Sequence, residues 1–185
     1  DPGDDLISAL AHAELEGQRL SDEEIGAFFG LFGAAGADTS RAAIGWTMEA
    51  LSMFDDQKRL WIEDLEGRAK RAVDECLRWA VPTMHMRRTA TRDVEIGGQT
   101  IRGGDKVALW WISGNRDAGK FTDPHRFDIM RAPNPMVSFG LAGPHFCVGA
   151  HLARLELKVT FTELLKRFPT MRATGPARRL RSNFI

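Results

Sequence analysis

Apolar positions recur mostly at helical spacing along this chain. Ser21-Asp22-Glu23-Glu24 has the form of a capping box, with Ser at the cap and Glu three residues on. Ile25, Phe28, Phe29 and Phe32 follow three and four apart and predict a helix running to about Leu51. Its middle is unusual, because Gly33, Gly36, Asp38, Thr39 and Ser40 are all poor helix formers. A helical stretch opens again from Asp55 to Leu60. Leu65, Ala69, Ala72, Val73, Cys76, Leu77 and Ala80 then form the stripe of a further helix, which Pro82 must end. Near Asp93 the period changes. Val94-Glu95-Ile96 and Gln99-Thr100-Ile101 flank Gly97-Gly98 as a hairpin. Val107 to Ile112 reads as a strand whose Trp110 and Trp111 are expected in the core, and Leu157, Phe161, Leu164, Leu165 and Phe168 give a last amphipathic helix. The pattern as a whole is mainly α with a small β region.

Composition excludes more than it selects. Basic and acidic residues balance at 25 each, so nothing points to nucleic acid or an acidic polymer. Cys76 and Cys147 stand in different contexts and make no disulfide framework, which favours a reducing, cytoplasmic setting. No signal peptide, membrane-spanning run or internal repeat is visible. At 185 residues the chain is long enough for one domain or for part of a larger one. It opens in mid-helix character and stops abruptly after Phe184-Ile185, as an excerpt truncated at both ends would.

The strongest chemical signal is Phe139-Gly140-Leu141-Ala142-Gly143-Pro144-His145-Phe146-Cys147-Val148-Gly149-Ala150. Its glycines and proline make a tight loop, and a helical pattern begins directly behind it. A helix N-terminus favours negative charge, which suits a thiolate at Cys147. With no second Cys nearby, such a thiolate fits one open-faced metal better than a disulfide or a zinc tetrad. By itself, a lone Cys is more often a small buried hydrophobe than a ligand.

This loop resembles the haem-binding signature of the cytochrome P450 family. Gly143, His145, Cys147, Gly149 and Ala150 fall on the family's positions, while Phe139 lies one residue further from the cysteine than in the commonest form. Three more matches follow the family's order. Ala35-Gly36-Ala37-Asp38-Thr39-Ser40 resembles the oxygen-binding motif of the long distal helix, Glu75-Cys76-Leu77-Arg78 the Glu-x-x-Arg pair, and Pro124-His125-Arg126-Phe127 the meander. Without the resemblance these would read as a close helix crossing at the glycines and an ordinary surface ion pair.

The resemblance implies a fold and a chemistry. The chain, residues 1–185, would be a partial haem domain, the C-terminal part of the P450 fold: long distal helix, Glu-x-x-Arg helix, meander, cysteine loop and proximal helix. Haem b (iron protoporphyrin IX) would be ligated by Cys147, cradled by Gly36, Phe139 and Gly149, and held at its propionates by Arg88 and His145. Asp38 and Thr39 would deliver protons to dioxygen, since O–O cleavage needs them without admitting bulk water. Glu75, Arg78 and Arg126 would form a structural triad. Phe28, Phe32, Ala35, Val81, Thr83 and Met84, with His85 beside them, would line a pocket for a lipophilic small molecule. Electrons would come from a ferredoxin- or flavodoxin-type partner, with Arg154 and Lys158 offering a cationic approach or simply a solvated face. The activity implied is that of a haem-thiolate monooxygenase. A peroxide-using peroxygenase and a non-enzymatic haem-binding remnant or sensor are the alternatives, the former disfavoured by the Asp38-Thr39 pair.

Overall fold

The structure is a computed structural model describing residues 3–141, 143–175 and 178; the stretch Arg178 to Asn183, which resembles the family's approach to a last hairpin, lies outside them apart from Arg178. The chain divides into two compact units, residues 1–38 and 39–185.

In the first unit, helix α1 (Leu6–His12) is capped by Asp5, whose carboxylate accepts the Ser8 N–H at 2.9 Å. Strands β1 (Glu14–Leu15) and β2 (Gln18–Arg19) make a minimal antiparallel ladder. Helix α2 (Asp22–Met53) begins in this unit and ends in the second. The capping box forms as its sequence implies: Ser21 Oγ accepts the Glu24 N–H at 3.3 Å, and the Glu24 carboxylate accepts the Ser21 N–H at 2.9 Å. The helix continues unbroken through the weak formers between Gly33 and Ser40. A Cβ built on Gly33 or Gly36 would meet nothing within 4 Å, so neither glycine serves a close helix crossing among the described residues.

The second unit carries the core. It contains α3 (Asp55–Glu63), α4 (Leu65–Ala80), β3 (His85–Thr89), β4 (Val94–Ile96), β5 (Gln99–Ile101), β6 (Lys106–Trp110), α5 (Trp111–Gly114) and α6 (Ala150–Arg167). Asp64 caps α4 by accepting the Gly67 N–H at 2.9 Å. The α4 stripe of Ala69, Ala72, Val73, Cys76 and Leu77 is buried in one cluster with Leu157, Phe161 and Leu165 of α6. Small residues on α4 let the larger α6 side chains fill the space between the helices.

The two short sheets are antiparallel. In one, His85 pairs with Trp110 and Thr89 with Lys106; in the other, β4 and β5 turn at Gly97 and Gly98, both with positive φ (57° and 75°) as the hairpin requires. Trp110 departs from expectation. It ends an edge strand with 53% of its surface exposed, its ring stacked on His85 at 4.7 Å, while Trp111 is half-buried at the start of α5. Arg154 and Lys158 on α6 are paired with acids of α4, Arg154 with Asp74 at 2.8 Å and Lys158 with Glu66 at 2.9 Å, so they do not stand as free cations.

Candidate functional site

Glu75 is wholly buried on α4, and its carboxylate organises the surrounding structure. One turn on, Arg78 meets it in a two-pronged pair, with Nε to Oε2 and Nη2 to Oε1 both at 2.7 Å. The remaining three N–H donors of Arg78 reach main-chain carbonyls: Nη1 to Asn115 and Pro124 (2.8 and 2.9 Å), Nη2 to Arg126 (3.0 Å). All five guanidinium donors are thus used, the condition under which burying such a charge is tolerable. Glu75 also accepts the Asp128 N–H at 2.9 Å and Asn134 Nδ2 at 3.3 Å.

The third cation of this cluster is Arg131, and Arg126 is not part of it. Arg131 Nε lies 3.2 Å from Glu75 Oε2, and its side chain is only 8% exposed. Arg126 is exposed and contributes its carbonyl alone, which accepts from Arg78 and Arg131. The physical reason is local. Asp123 adopts a left-handed turn (φ 48°) that points the carbonyls of Thr122, Asp123, Pro124 and Arg126 inward at the two guanidinium groups, leaving the Arg126 side chain outside. Burial then alternates, Phe127 and Ile129 inside, and carries Arg131 inward with them. That alternation was the available signal; the Pro-x-Arg-Phe pattern overrode it.

Asn115, in a stretch that resembles the family's sequence there but suggests no role for it, is fully buried after α5. Its Nδ2 donates to the Arg78 carbonyl (3.1 Å) and to Ser138 Oγ (2.7 Å), and its Oδ1 accepts the Val137 N–H (2.7 Å). Ser138 Oγ donates in turn to the Leu77 carbonyl at 2.8 Å. The residues leading into the cysteine loop are therefore bonded, through one asparagine, to the end of α4.

The loop itself closes with backbone bonds. Gly140 N–H donates to Val137 at 2.9 Å, and Cys147 N–H donates to the Phe139 carbonyl at 3.0 Å. Gly140 and Gly143 take positive φ (81° and 127°), conformations that a side chain would strain. Leu141 in this loop is 68% exposed. The Phe139 ring is held by the Arg154 guanidinium, 4.6 Å from its centroid. Cys147 is a free, half-buried thiol; α6 starts three residues later, with Gly149 at its cap, which has no side chain to cap the helix.

The comparisons with known proteins bear on this arrangement. The Cytochrome P450 family model matches residues 69–179. The chain belongs to the cytochrome P450 family. It is 49% identical over 182 residues to the Methyl-branched lipid omega-hydroxylase of Mycobacterium bovis, covering 98% of this chain and 42% of that protein. It is 38% identical to the Steroid C26-monooxygenase of Mycolicibacterium smegmatis, over 100% of this chain and 42% of the relative. Among solved structures, a Mycobacterium marinum cytochrome P450 in complex with pseudoionone superposes with a TM-score of 0.93 at 48% identity, over 100% of this chain and 44% of that one. The chain therefore spans less than half the length of these relatives.

P450 proteins carry haem, and the donor set here fits that group. Cys147 offers one thiol with no competing partner, since no cluster of three or more His, Cys, Asp or Glu side chains could hold a metal among the described residues. Gly149 lies beside it, with a Cβ position 3.9 Å from Sγ. Arg88 on β3 and His145 in the loop are exposed, and neither makes an ion pair among the described residues. Cys76 is a different case. It is fully buried, and burial pushes its thiol far above the ordinary range, so it stays protonated and packs.

The remaining candidates are distributed unevenly. Thr83 and Met84 are half-buried in the connector after α4. Val81 is completely buried as the left-handed C-cap of α4, so it packs the core and does not line a pocket. Phe28, Phe32, Ala35, Gly36 and Asp38 lie in the first unit, with Phe28 and Phe32 stacked at 6.1 Å, while Thr39 opens the second.

Proposed function

We propose that this chain, residues 1–185, is a partial haem domain, the C-terminal part of a haem-thiolate monooxygenase that hydroxylates a lipophilic small molecule. The observation that carries the reading is the free Cys147 thiol on a braced loop at the start of α6. Bound haem would supply an iron at which dioxygen is split, one oxygen atom entering the substrate and the other leaving as water with two electrons and two protons. Cys147 would ligate the iron and favour O–O cleavage by donating electron density. Arg88 and His145 would hold the propionates, while Phe139 and Gly149 would leave room for the ring, and Gly36 for its ligand. Glu75, Arg78 and Arg131 act at a distance, by bracing the loop.

The Thr39 hydroxyl would hold the water that passes protons to the distal oxygen, and Asp38 would relay protons from solvent. The presence of this acid–alcohol pair favours electrons from a ferredoxin- or flavodoxin-type partner over direct use of peroxide. Phe28, Phe32, Ala35, Thr83 and Met84 would contact an apolar substrate. Relatives named for a methyl-branched lipid and a steroid support that class. Two free cysteines suit the cytoplasm, and no described helix is long and apolar enough to cross a membrane.

The test uses a protein of the relatives' length that carries this segment. Cys147→Ala should abolish the red-shifted Soret band of the reduced carbon monoxide complex, and Cys76→Ala should retain it. Survival of that band without Cys147 would end the haem-thiolate reading. Thr39→Ala should still consume oxygen and nicotinamide, with product falling and hydrogen peroxide rising in its place. General acid–base groups contribute about 10² to 10⁴ in rate, so the redistribution should be large. Unchanged product per nicotinamide would remove Thr39 from proton delivery.

A further inference from the structure

Ser40 follows Thr39 on α2 but is turned about 100° from it round the helix axis. Its hydroxyl donates to Glu156 Oε2 on α6 at 2.6 Å, a short bond to a charged acceptor. The two helices face an open groove here, about 590 Å³ and lined by Ser40, Ile44, Leu152, Leu155, Glu156 and Val159, so the bond spans a loosely packed place.

Burial along α2 explains why a bond is needed there. Leu51, Ala50, Thr47 and Ala43 form its inward stripe, at 0%, 1%, 1% and 3% exposure. Ser40 continues that stripe one turn earlier and is only half-buried. Packing fixes the roll of α2 from Ala43 onward and gives out at the turn that carries Thr39. Nor does Gly45 supply a wedge, since a Cβ there would meet nothing within 4 Å.

We propose that the Ser40–Glu156 hydrogen bond is a positioning link that sets the roll of α2 at Thr39 relative to α6, the helix that begins behind the cysteine loop. Ser40 and Glu156 touch neither substrate nor haem in this role; they aim the Thr39 hydroxyl. The inference rests on the proton-delivery role given to Thr39 above.

The experiment uses a haem-loaded protein of the relatives' length that carries this segment, with Ser40→Ala, Ser40→Thr, Glu156→Ala and the double alanine variant. Loss of a charged hydrogen bond corresponds to roughly a tenfold change in an equilibrium between aimed and misaimed states. Peroxide formed per nicotinamide should therefore rise by up to about tenfold in each alanine variant. The double variant should go no further than either single one, and Ser40→Thr should stay near wild type. Backbone hydrogen exchange at residues 39–41 should quicken in the alanine variants and not in Ser40→Thr, a readout independent of turnover. Glu156→Ala could fold poorly, but Ser40→Ala removes only one oxygen and keeps the test open. A lowered melting temperature with product, peroxide and exchange unchanged in Ser40→Ala would overturn the link, as would additive effects in the double variant. If Thr39→Ala itself leaves coupling intact while exchange still quickens in Ser40→Ala, the proton-delivery role fails and the mechanical link stands.

Discussion

Glu75 illustrates how burial raises the stakes of a single side chain. A carboxylate with no exposure is destabilising unless its oxygens are occupied, and here they accept from Arg78, Arg131, Asn134 and the Asp128 main chain. Removing one charged partner from such a group typically costs about 3–5 kcal/mol, because the other charge stays buried. Arg131→Ala should therefore lower the urea midpoint strongly. Arg126→Ala should stay within about 0.5 kcal/mol of wild type, since its exposed side chain makes none of the bonds and its carbonyl survives the substitution. Comparable losses in both variants would put the third cation back at Arg126. Glu75 and Arg78 are legible in the sequence because their spacing, one helical turn, is enough to bring them together. Arg131 is less so: the alternation of Phe127 and Ile129 points it inward, but its pairing depends on the left-handed turn at Asp123 and on carbonyls folded inward over the cluster, which leave no trace in spacing.

At the level of elements, periodic signals survived and the pairing of one element with another did not. The stripe on α4 and the Gly-Gly turn are local and appear as the sequence implies. Trp110 was misplaced because a run of apolar residues cannot tell an edge strand from a central one, and only pairing with β3 shows that its outer side is open. Of the two readings of α6, a cationic approach or a solvated face, the pairing of its cations was likewise not legible. Arg154 and Lys158 find acids on α4, a helix whose register against α6 the sequence does not report. This changes the view of partner docking. Lys158 is already neutralised by Glu66 in an exposed pair worth under about 1 kcal/mol, so it contributes little field toward an acidic redox protein. Lys158→Gln should alter the rate of the first electron transfer from a ferredoxin by less than about twofold, with little change in its salt dependence. A fall of an order of magnitude, measured by stopped flow at low salt, would restore Lys158 to the docking surface. Arg154 is a poorer probe, because it also holds the Phe139 ring.

The whole molecule leaves much apolar surface uncovered. On α6 alone Leu152, Leu155 and Val159 are each more than half exposed, Val148 just before it is 77% exposed, and Leu31 on α2 reaches 70%. Scattered exposed apolar residues are ordinary, but Leu152, Leu155 and Val159 share a groove with Ile44. The relatives are more than twice as long as the part matched here, so in a protein of their length further chain is available to cover such a groove. The core of residues 39–185 is nevertheless substantial, with Trp61, Leu51, Ile129, Leu157 and Phe161 wholly buried. The two facts together predict a specific behaviour for the 185-residue chain produced alone. It should keep helical circular dichroism, since α4 and α6 bury one another, yet self-associate through its open faces. Light scattering should show growth with concentration, reduced by Leu155→Lys with Val159→Glu, which place charge in the groove without touching the core. Haem added to this chain should bind weakly, and substrate should not be hydroxylated, because one wall of the site would have to come from outside the 185 residues. A monodisperse chain that binds haem tightly and forms product in step with nicotinamide would show instead that this segment is a sufficient catalytic unit.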